Sequence, residues 1–231
     1  MPRRIPPDRL TDIGRAACGV FTEKGYRGAL MSDVAGALGL SHGLLYRYVE
    51  SKGALFALAV RYATDPGSVG DLELPVPTPA PSETISAISG WLHQRRLPLL
   101  LRANRIEQAD DIRAEFGSII EEHYDVIEQS RLILALLERC AADLPDLHSV
   151  YFVRRRRGVQ DTLTSYLGRR VEAGQMRPVP DVAVAARFVI EGITWFAWHR
   201  KNDPDSSMID DDTARRTVRY LLLEAFCAEG R

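Results

Sequence analysis

Cysteine is scarce in this chain and poorly placed for cross-linking. Cys18, Cys140 and Cys227 are odd in number, widely separated and without a CxxC pair. That argues against a disulfide framework or a zinc site and fits a reducing compartment, so the expected location is cytoplasmic. Lysine is nearly absent too: only Lys24, Lys52 and Lys201 stand among 30 basic residues, a bias that points to a GC-rich genome. No apolar run approaches the roughly 20 residues needed to span a bilayer. The longest conspicuous one is Leu97-Pro98-Leu99-Leu100-Leu101, so no membrane association is expected. The opening MPRRIPPDR has charge but no apolar run behind it, unlike a signal peptide. Enzyme signatures are missing as well: no HExxH, no GxSxG, no glycine-rich phosphate loop and no His/Cys cluster with metal spacing. Glu121, Glu122 and His123 are adjacent but have no partner at helical spacing. The expectation is of no catalytic residue, no metal and no cofactor. Neither a period-two strand pattern nor a fixed-period repeat is present.

What remains is the composition of an ordinary globular protein, with 231 residues, 45% hydrophobic and 26% charged. The net charge of −1 hides an asymmetry. Residues 1–64 carry nine Lys/Arg against five Asp/Glu, and the remainder 21 against 26. A basic head on an acidic body suits contact with a phosphate backbone at one end. Helical periodicity dominates throughout, so the predicted fold is all-α. Asp8 or Thr11 can cap a first helix whose stripe is Ile13, Ala16, Ala17, Val20 and Phe21, closed by Lys24 and Gly25. Arg3 and Arg4, before Pro6 and Pro7, are placed to reach a minor groove. Ser51 caps a further helix that should end near Thr64, ahead of Asp65-Pro66-Gly67. The stretch LELPVPTPAPS at 72–82 has alternating prolines, which forbid a helix and favour an extended path. It reads as a connecting loop within 65–82; the sharper alternative is a ligand for an SH3-like partner. Further helical segments fall near 83–94, 96–108, 110–142, 147–174, 180–201 and 210–228, with 110–142 long enough to break. Three regions result: a head at 1–64, a proline-rich loop at 65–82 and a helical body at 83–231.

Met31 to Val49, MSDVAGALGLSHGLLYRYV, reads as helix, tight turn, helix. Val34 and Leu38 share a face, and Ala35 is small where two helices must cross. Gly39 sits where the first helix stops, Leu40 points into the corner, and Ser41 is a good N-cap for the next helix. Leu45 and Tyr48 supply the inner face of that helix. A plain αα-corner needs the same anchors, but their agreement in one window (about 30–49) is what a DNA-binding helix-turn-helix requires.

With these residues in place, Ile13 to Val60 resembles the DNA-binding domain of the TetR (TetR/AcrR) family of transcriptional regulators. The resemblance runs through Ile13, Ala16, Ala17, Phe21, Gly25 and Tyr26, then Asp33-Val34-Ala35 and Gly39-Leu40-Ser41. It continues through Leu45-Tyr46-Arg47-Tyr48, Ser51-Lys52 and Ala54-Leu55. It implies an N-terminal three-helix helix-turn-helix domain followed by a C-terminal helical domain for ligand binding and dimerisation. Two departures stand out. The Thr or Ser that the family usually carries before the second helix is replaced by Ala29 and Leu30, with Ser32 as a substitute. Val49 stands where many members have Phe.

A recognition helix from about His42 to Tyr48 spans two turns, so few side chains can reach bases. His42 and Gly43 enter the groove first: Gly43 lets the backbone approach, and His42 can bond a base edge or a phosphate. Leu44 can lie against a thymine methyl. Tyr46 and Lys52 look like the family's phosphate-contacting pair, with Arg47 beside them; a plain core aromatic is the other reading of Tyr46. With Ser41, these seven are the candidate DNA contacts.

In the body, VAVAARFVIEGITWFAW (182–198) is apolar nearly all round, and Val218, Leu221, Leu222, Ala225 and Phe226 form a second stripe. These segments, about 180–201 and 210–228, either form an internal core or pack on their twofold mates; the resemblance implies the homodimer. It also implies a cavity for an unidentified small molecule. Trp91, His123, Tyr124 and Trp195 are candidates to line it, with His93 and Trp198 as further aromatics. Arg154 to Arg157 cover a full turn and read as a solvated face with carboxylate partners rather than an anion site. The function implied is a sequence-specific regulator on a palindromic double-stranded DNA operator, a repressor released by its ligand. The alternatives are an activator or a ligand-independent DNA-binding protein of the same fold.

Overall fold

The computed structural model describes residues 9–70 and 72–228. Arg3, Arg4 and the Asp8 cap lie outside the described residues. The chain is all helical, with no named strand among the described residues; two isolated bridges, Val49 with Val76 and Met176 with Cys227, are the exceptions. In chain order the helices are α1 (Arg9–Gly28), α2 (Met31–Ala37), α3 (His42–Leu45), α4 (Lys52–Thr64), α5 (Pro81–Gln94) and α6 (Pro98–Ala103). They continue as α7 (Ile112–Gln129), α8 (Arg131–Cys140), α9 (Pro145–His148), α10 (Arg157–Glu172), α11 (Val182–Ala197) and α12 (Asp211–Phe226). A π-helical stretch, Ser149–Arg156, joins α9 to α10. The segment 110–142 does break, at Ser130.

Packing divides the chain into two compact units: residues 1–94 with 132–153, and 95–131 with 154–231. The division does not follow sequence order, because residues 132–153 return to the first unit. There Arg139 and Asp143 bond the backbone at Glu23 and Arg27, at 3.4 and 2.8 Å.

In the first unit, α1 buries Ile13, Ala17, Val20 and Phe21 as the stripe predicts, while Ala16 is half-buried. Gly25 has φ 76°, so the left-handed residue falls where the sequence placed it, and one more turn follows. Thr11 lies inside α1 and does not cap it. The helix crosses α4 closely. A Cβ at Gly14 would come within 2.8 Å of the Tyr62 Cβ, and the Cys18 thiol reaches the Ala59 carbonyl at 3.1 Å. Cys18, Cys140 and Cys227 are all buried and free, and burial pushes the thiols of Cys18 and Cys140 up to about 12. Cys227, expected within a helix, instead ends α12 in the bridge to Met176.

The second unit holds a core that includes Phe116, Ile120, Tyr124, Tyr166, Val189 and Phe226. Two arginines of this unit are fully buried, and all three nitrogens of each are hydrogen-bonded. Arg170 bonds the Glu115 carboxylate at 2.9 Å and the carbonyls of Ala103, Ile106 and Glu107 at 2.9–3.0 Å. Five donors in a fixed fork can satisfy several carbonyls left over at a helix end, which a single ammonium cannot do as well. Arg200 ties Phe196 and Ile209 carbonyls to Asp211 at the start of α12. His123, also buried, is held neutral: burial first, and then the charge of Arg155, depress its pKa to about 4.

The packing predicts opposite signs for two glycine substitutions on α1. Gly14→Ala should destabilise by about 1–3 kcal/mol through overpacking on Tyr62, whereas Gly19→Ala meets nothing within 4 Å and should gain up to about 1 kcal/mol from helix propensity. Thermal melting of both variants checks the signs. For His123 the unfolded chain binds the proton near pH 6.5 and the folded chain only near pH 4. Between these values the unfolded state holds more protons, so stability is full above pH 6.5 and falls as the pH drops towards 4. His123→Gln should flatten that part of a melting-temperature profile against pH.

Candidate nucleic-acid interface

The surface that the sequence nominates is built around one buried residue, Leu45. Its helix, α3, is a single turn of four residues, shorter than the two turns expected. Past Leu45 the chain continues as tight turns: Arg47 N–H donates to Leu44 O at 3.1 Å and Tyr48 N–H to Leu45 O at 2.9 Å. Tyr48 and Val49 are both pulled inward, three and four residues after Leu45 and on the same face, and Val49 N–H returns to Leu45 O at 3.2 Å. Ser41 caps the turn as expected, its hydroxyl accepting from Leu44 N–H at 3.3 Å. Gly39 supplies the left-handed residue of the corner, φ 64°.

With Leu45, Tyr48 and Val49 turned in, the other residues turn out. Ser41, His42, Gly43 and Arg47 are exposed, and Tyr46 is 42% exposed, not a core aromatic. The His42 and Tyr46 rings meet edge to face at 5.1 Å, so the two polar tips share one ridge. Leu44 is half-buried beside them. The structure thus brings six of the seven candidates, Ser41 to Arg47, onto one short convex segment. Lys52, the seventh, sits in the first turn of α4. Its ammonium donates to the Arg27 carbonyl at 3.1 Å and lies 5.0 Å from the Tyr26 ring centroid. One of its three donors is used, leaving two for a phosphate.

The missing Thr/Ser cap has a visible consequence. Leu30 stands at the N-cap of α2 with no side-chain acceptor to offer, and its side chain is 58% exposed. Asp33 N–H turns to the Leu30 carbonyl at 3.1 Å, while the other half of a capping box remains: Leu30 N–H donates at 2.9 Å to the Asp33 carboxylate, which also pairs with Lys24 at 2.9 Å. The Lys24 bond, then the Leu30 amide, hold the Asp33 pKa below its ordinary value. Ser32 is exposed in the first turn of α2.

Sequence reasoning missed the brace behind this surface. Val76 N–H donates to Tyr48 O at 2.7 Å, and Glu50 N–H to Val76 O at 3.1 Å. Thr78 adds its N–H to the Glu50 carboxylate at 2.9 Å and its hydroxyl to that of Ser51 at 2.7 Å. The proline-rich loop is therefore docked along the exit of the recognition segment. The signal was present: between successive prolines only Val76, Thr78 and Ala80 keep an N–H, and two of the three are used here.

The four candidate ligand residues are dispersed. Trp91 is half-buried on α5 in the first unit. In the second unit, His123 and Tyr124 are core residues of α7, with the Tyr124 hydroxyl donating to Phe196 O at 3.2 Å. Trp195 is 36% exposed on α11, and Trp198 is buried. Two second-unit cavities are lined by other residues. One, of about 450 Å³, carries Glu121, Glu122 and Asp125 with Arg219. The other, of about 240 Å³, has Arg96, Arg154 and Arg155 over Leu97, Leu100 and Val159. In the arginine run, Arg156 pairs with Glu191 at 3.3 Å and Arg155 donates to the Arg95 carbonyl. No group of three or more His, Cys, Asp or Glu that could hold a metal occurs among the described residues. No helix among them is long and apolar enough to cross a membrane.

Residues 13–59 match the family model described as bacterial regulatory proteins, tetR family. No curated protein matches the chain. Among solved structures, the fold resembles the ketosteroid transcriptional regulator KstR2 of Mycobacterium tuberculosis, at 17% identity and TM-score 0.57 over 96% of each chain. It also resembles the TetR family transcriptional regulator PfmR of Thermus thermophilus, at 21% identity and TM-score 0.51, over 99% of this chain and all of that one. At such identities the likeness is one of fold. The matched segment ends inside α4 and contains the whole ridge from Ser41 to Arg47 together with Lys52. Residues 13–59 thus carry the helix-turn-helix domain that the tetR family model describes, and the chain as a whole shares the all-helical fold of these two regulators.

Proposed function

We propose that the protein is a homodimeric, sequence-specific transcriptional repressor that leaves a palindromic operator when a small molecule binds. The observation that carries the reading is the exposed His42, Gly43, Tyr46 and Arg47 around the buried Leu45, inside the segment matched to the family. In this reading residues 1–64 contact DNA. His42, with Gly43 allowing close approach, reads base edges, and Leu44 meets a thymine methyl. Tyr46, Arg47 and Lys52 hold phosphates and set the register.

The dimer reading rests on the second unit, where α11 exposes Val184 at 68% and Phe188 at 64%, with Trp195 on the same helix. On α12, Tyr220 and Leu221 are exposed by more than half. Residues 184, 188 and 195 follow a four-then-seven spacing that keeps them on one face. A monomer exposing such a row of large apolar groups is the situation in which a second surface is expected to cover it. Twofold pairing of α11 and α12 would carry two recognition ridges towards half-sites about one DNA turn, roughly 34 Å, apart. An effector then acts by favouring a dimer in which that spacing is lost.

The DNA reading is tested by titrating the protein into the DNA upstream of its own gene and into an unrelated duplex, at two salt concentrations. The expected result is saturable binding to its own DNA that survives the higher salt. His42→Ala should erode discrimination by about 1–3 kcal/mol. Lys52→Ala should weaken both duplexes alike and lower the salt slope by about 0.9. Equal binding to both duplexes, erased by salt, would sink the reading. For the dimer, Phe188→Glu should give a folded monomer by light scattering with loss of operator affinity; an unchanged mass would overturn it.

A further inference from the structure

Within the first unit lies a cavity of about 350 Å³, lined from α1, α4, α5, α9 and the proline-rich loop. Its size falls in the range of small-molecule sites. One wall is aromatic: Tyr26 and Phe56, their rings edge to face at 5.2 Å. Facing parts of the lining come from Ile85 on α5 and from Pro79 and Pro81 of the docked loop. Aromatic faces and proline rings are flat and apolar, which favours a planar ring between them. Asp146, at the start of α9, is the single charged residue among those that line the cavity. A carboxylate at the rim attracts an amine and repels an anion.

The same residues hold the DNA surface in place. Tyr26 carries the Lys52 ammonium over its ring. Ser51 and Thr78, also in the lining, bond each other, and the Ser51 hydroxyl caps α4 by accepting from Ala54 N–H at 3.1 Å. Two residues before Thr78, Val76 closes the bridge to Tyr48 and Glu50. A Cβ at Gly53 would already come within 3.3 Å of the Thr78 methyl, so the contact between α4 and the loop has little slack. A molecule seated between Tyr26 and the prolines touches the ring under Lys52 and the residues that cap α4.

We propose that this cavity is an effector site in the DNA-binding unit itself. It takes a neutral or cationic aromatic molecule of one or two fused rings, and its occupancy weakens DNA binding by displacing Tyr26 and the loop at 76–81. The inference rests on the DNA-binding reading for its output but not for the binding event, and the two are measured separately.

The probes are indole, tryptamine and indole-3-acetate, which share one ring system and differ in charge. Their binding to the DNA-free protein is read by saturation-transfer NMR, and DNA affinity by fluorescence anisotropy with and without each probe. The expected order is tryptamine first, then indole, with indole-3-acetate at least about tenfold weaker than tryptamine, a difference of 1.4 kcal/mol. Asp146→Asn, at an exposed position, should bring tryptamine down to the level of indole. Ile85→Trp should fill the cavity and abolish binding while DNA affinity is kept. Thr84→Leu does the same with a smaller side chain should the tryptophan disturb folding, as judged by thermal melting. Tryptamine should lower the DNA affinity of the wild type several-fold and leave that of Ile85→Trp unchanged. The proposal is overturned if none of the probes binds, if both filled variants bind as the wild type does, or if binding leaves DNA affinity unaltered. A protein that binds the probes and no DNA would condemn the regulator reading and spare the site.

Discussion

Four residues cannot hold a helix by themselves. Nucleating one turn fixes several dihedrals for a single hydrogen bond, and isolated helices shorter than about a dozen residues are marginal in water. The α3 turn exists because Leu45, fully buried, is seized by the surrounding helices, with Tyr48 and Val49 following it inward. Every other property of the surface depends on that anchoring. It fixes which side chains point outward and leaves His42 and Tyr46 on a common ridge.

The anchors need a rigid floor, and the crossing of α1 over α4 provides it. Gly14 lets the two helices meet at the Tyr62 side chain, while the Tyr62 hydroxyl accepts from Arg15 at 3.1 Å. Phe21, Tyr26 and Phe56 interlock at ring distances of 5.2–5.9 Å and extend this floor to the mouth of the cavity. Tyr26 thus serves two neighbourhoods at once, perch for Lys52 on one side and cavity wall on the other. The proline-rich loop completes the arrangement because its prolines stiffen an extended path that presents Val76 and Thr78 to the recognition segment. A loop fastened by backbone bonds and two side-chain bonds is a natural element for an occupant to displace.

The second unit solves a different problem, the fastening of helix ends inside a core. Arg170 gathers carbonyls from the end of α6 and the turn beyond it, and Arg200 joins a carbonyl near the end of α11 to one just before α12. Burying a guanidinium is costly unless each donor is used and a carboxylate is near. Glu115 and Asp211 supply the carboxylates. With its interior fastened in this way, the unit still leaves Val184 and Phe188 in water on α11, and no interior demand explains their exposure.

The sequence alone determined what depends on short-range chemistry. Helical periodicity marked the stripe of α1, Gly39 and Ser41 marked the corner, Ser51 marked the α4 cap, and the family resemblance placed the recognition ridge. These signals are local: a left-handed glycine or a capping hydroxyl acts within four residues of itself. Tertiary structure decided what depends on partners distant in the chain. The length of α3, a single turn where the spacing suggested two, is a property of the folded chain that no local signal gave. The assignment of residues 132–153 to the first unit rests on contacts such as Arg27 with Asp143, 116 residues apart. Nothing in the sequence marked Arg170 for burial or the Val76 N–H for a bond to Tyr48 O. No composition or spacing encodes which carbonyl a distant arginine will find. That is settled only when apolar surfaces have packed and each buried polar group must take the partner left within reach.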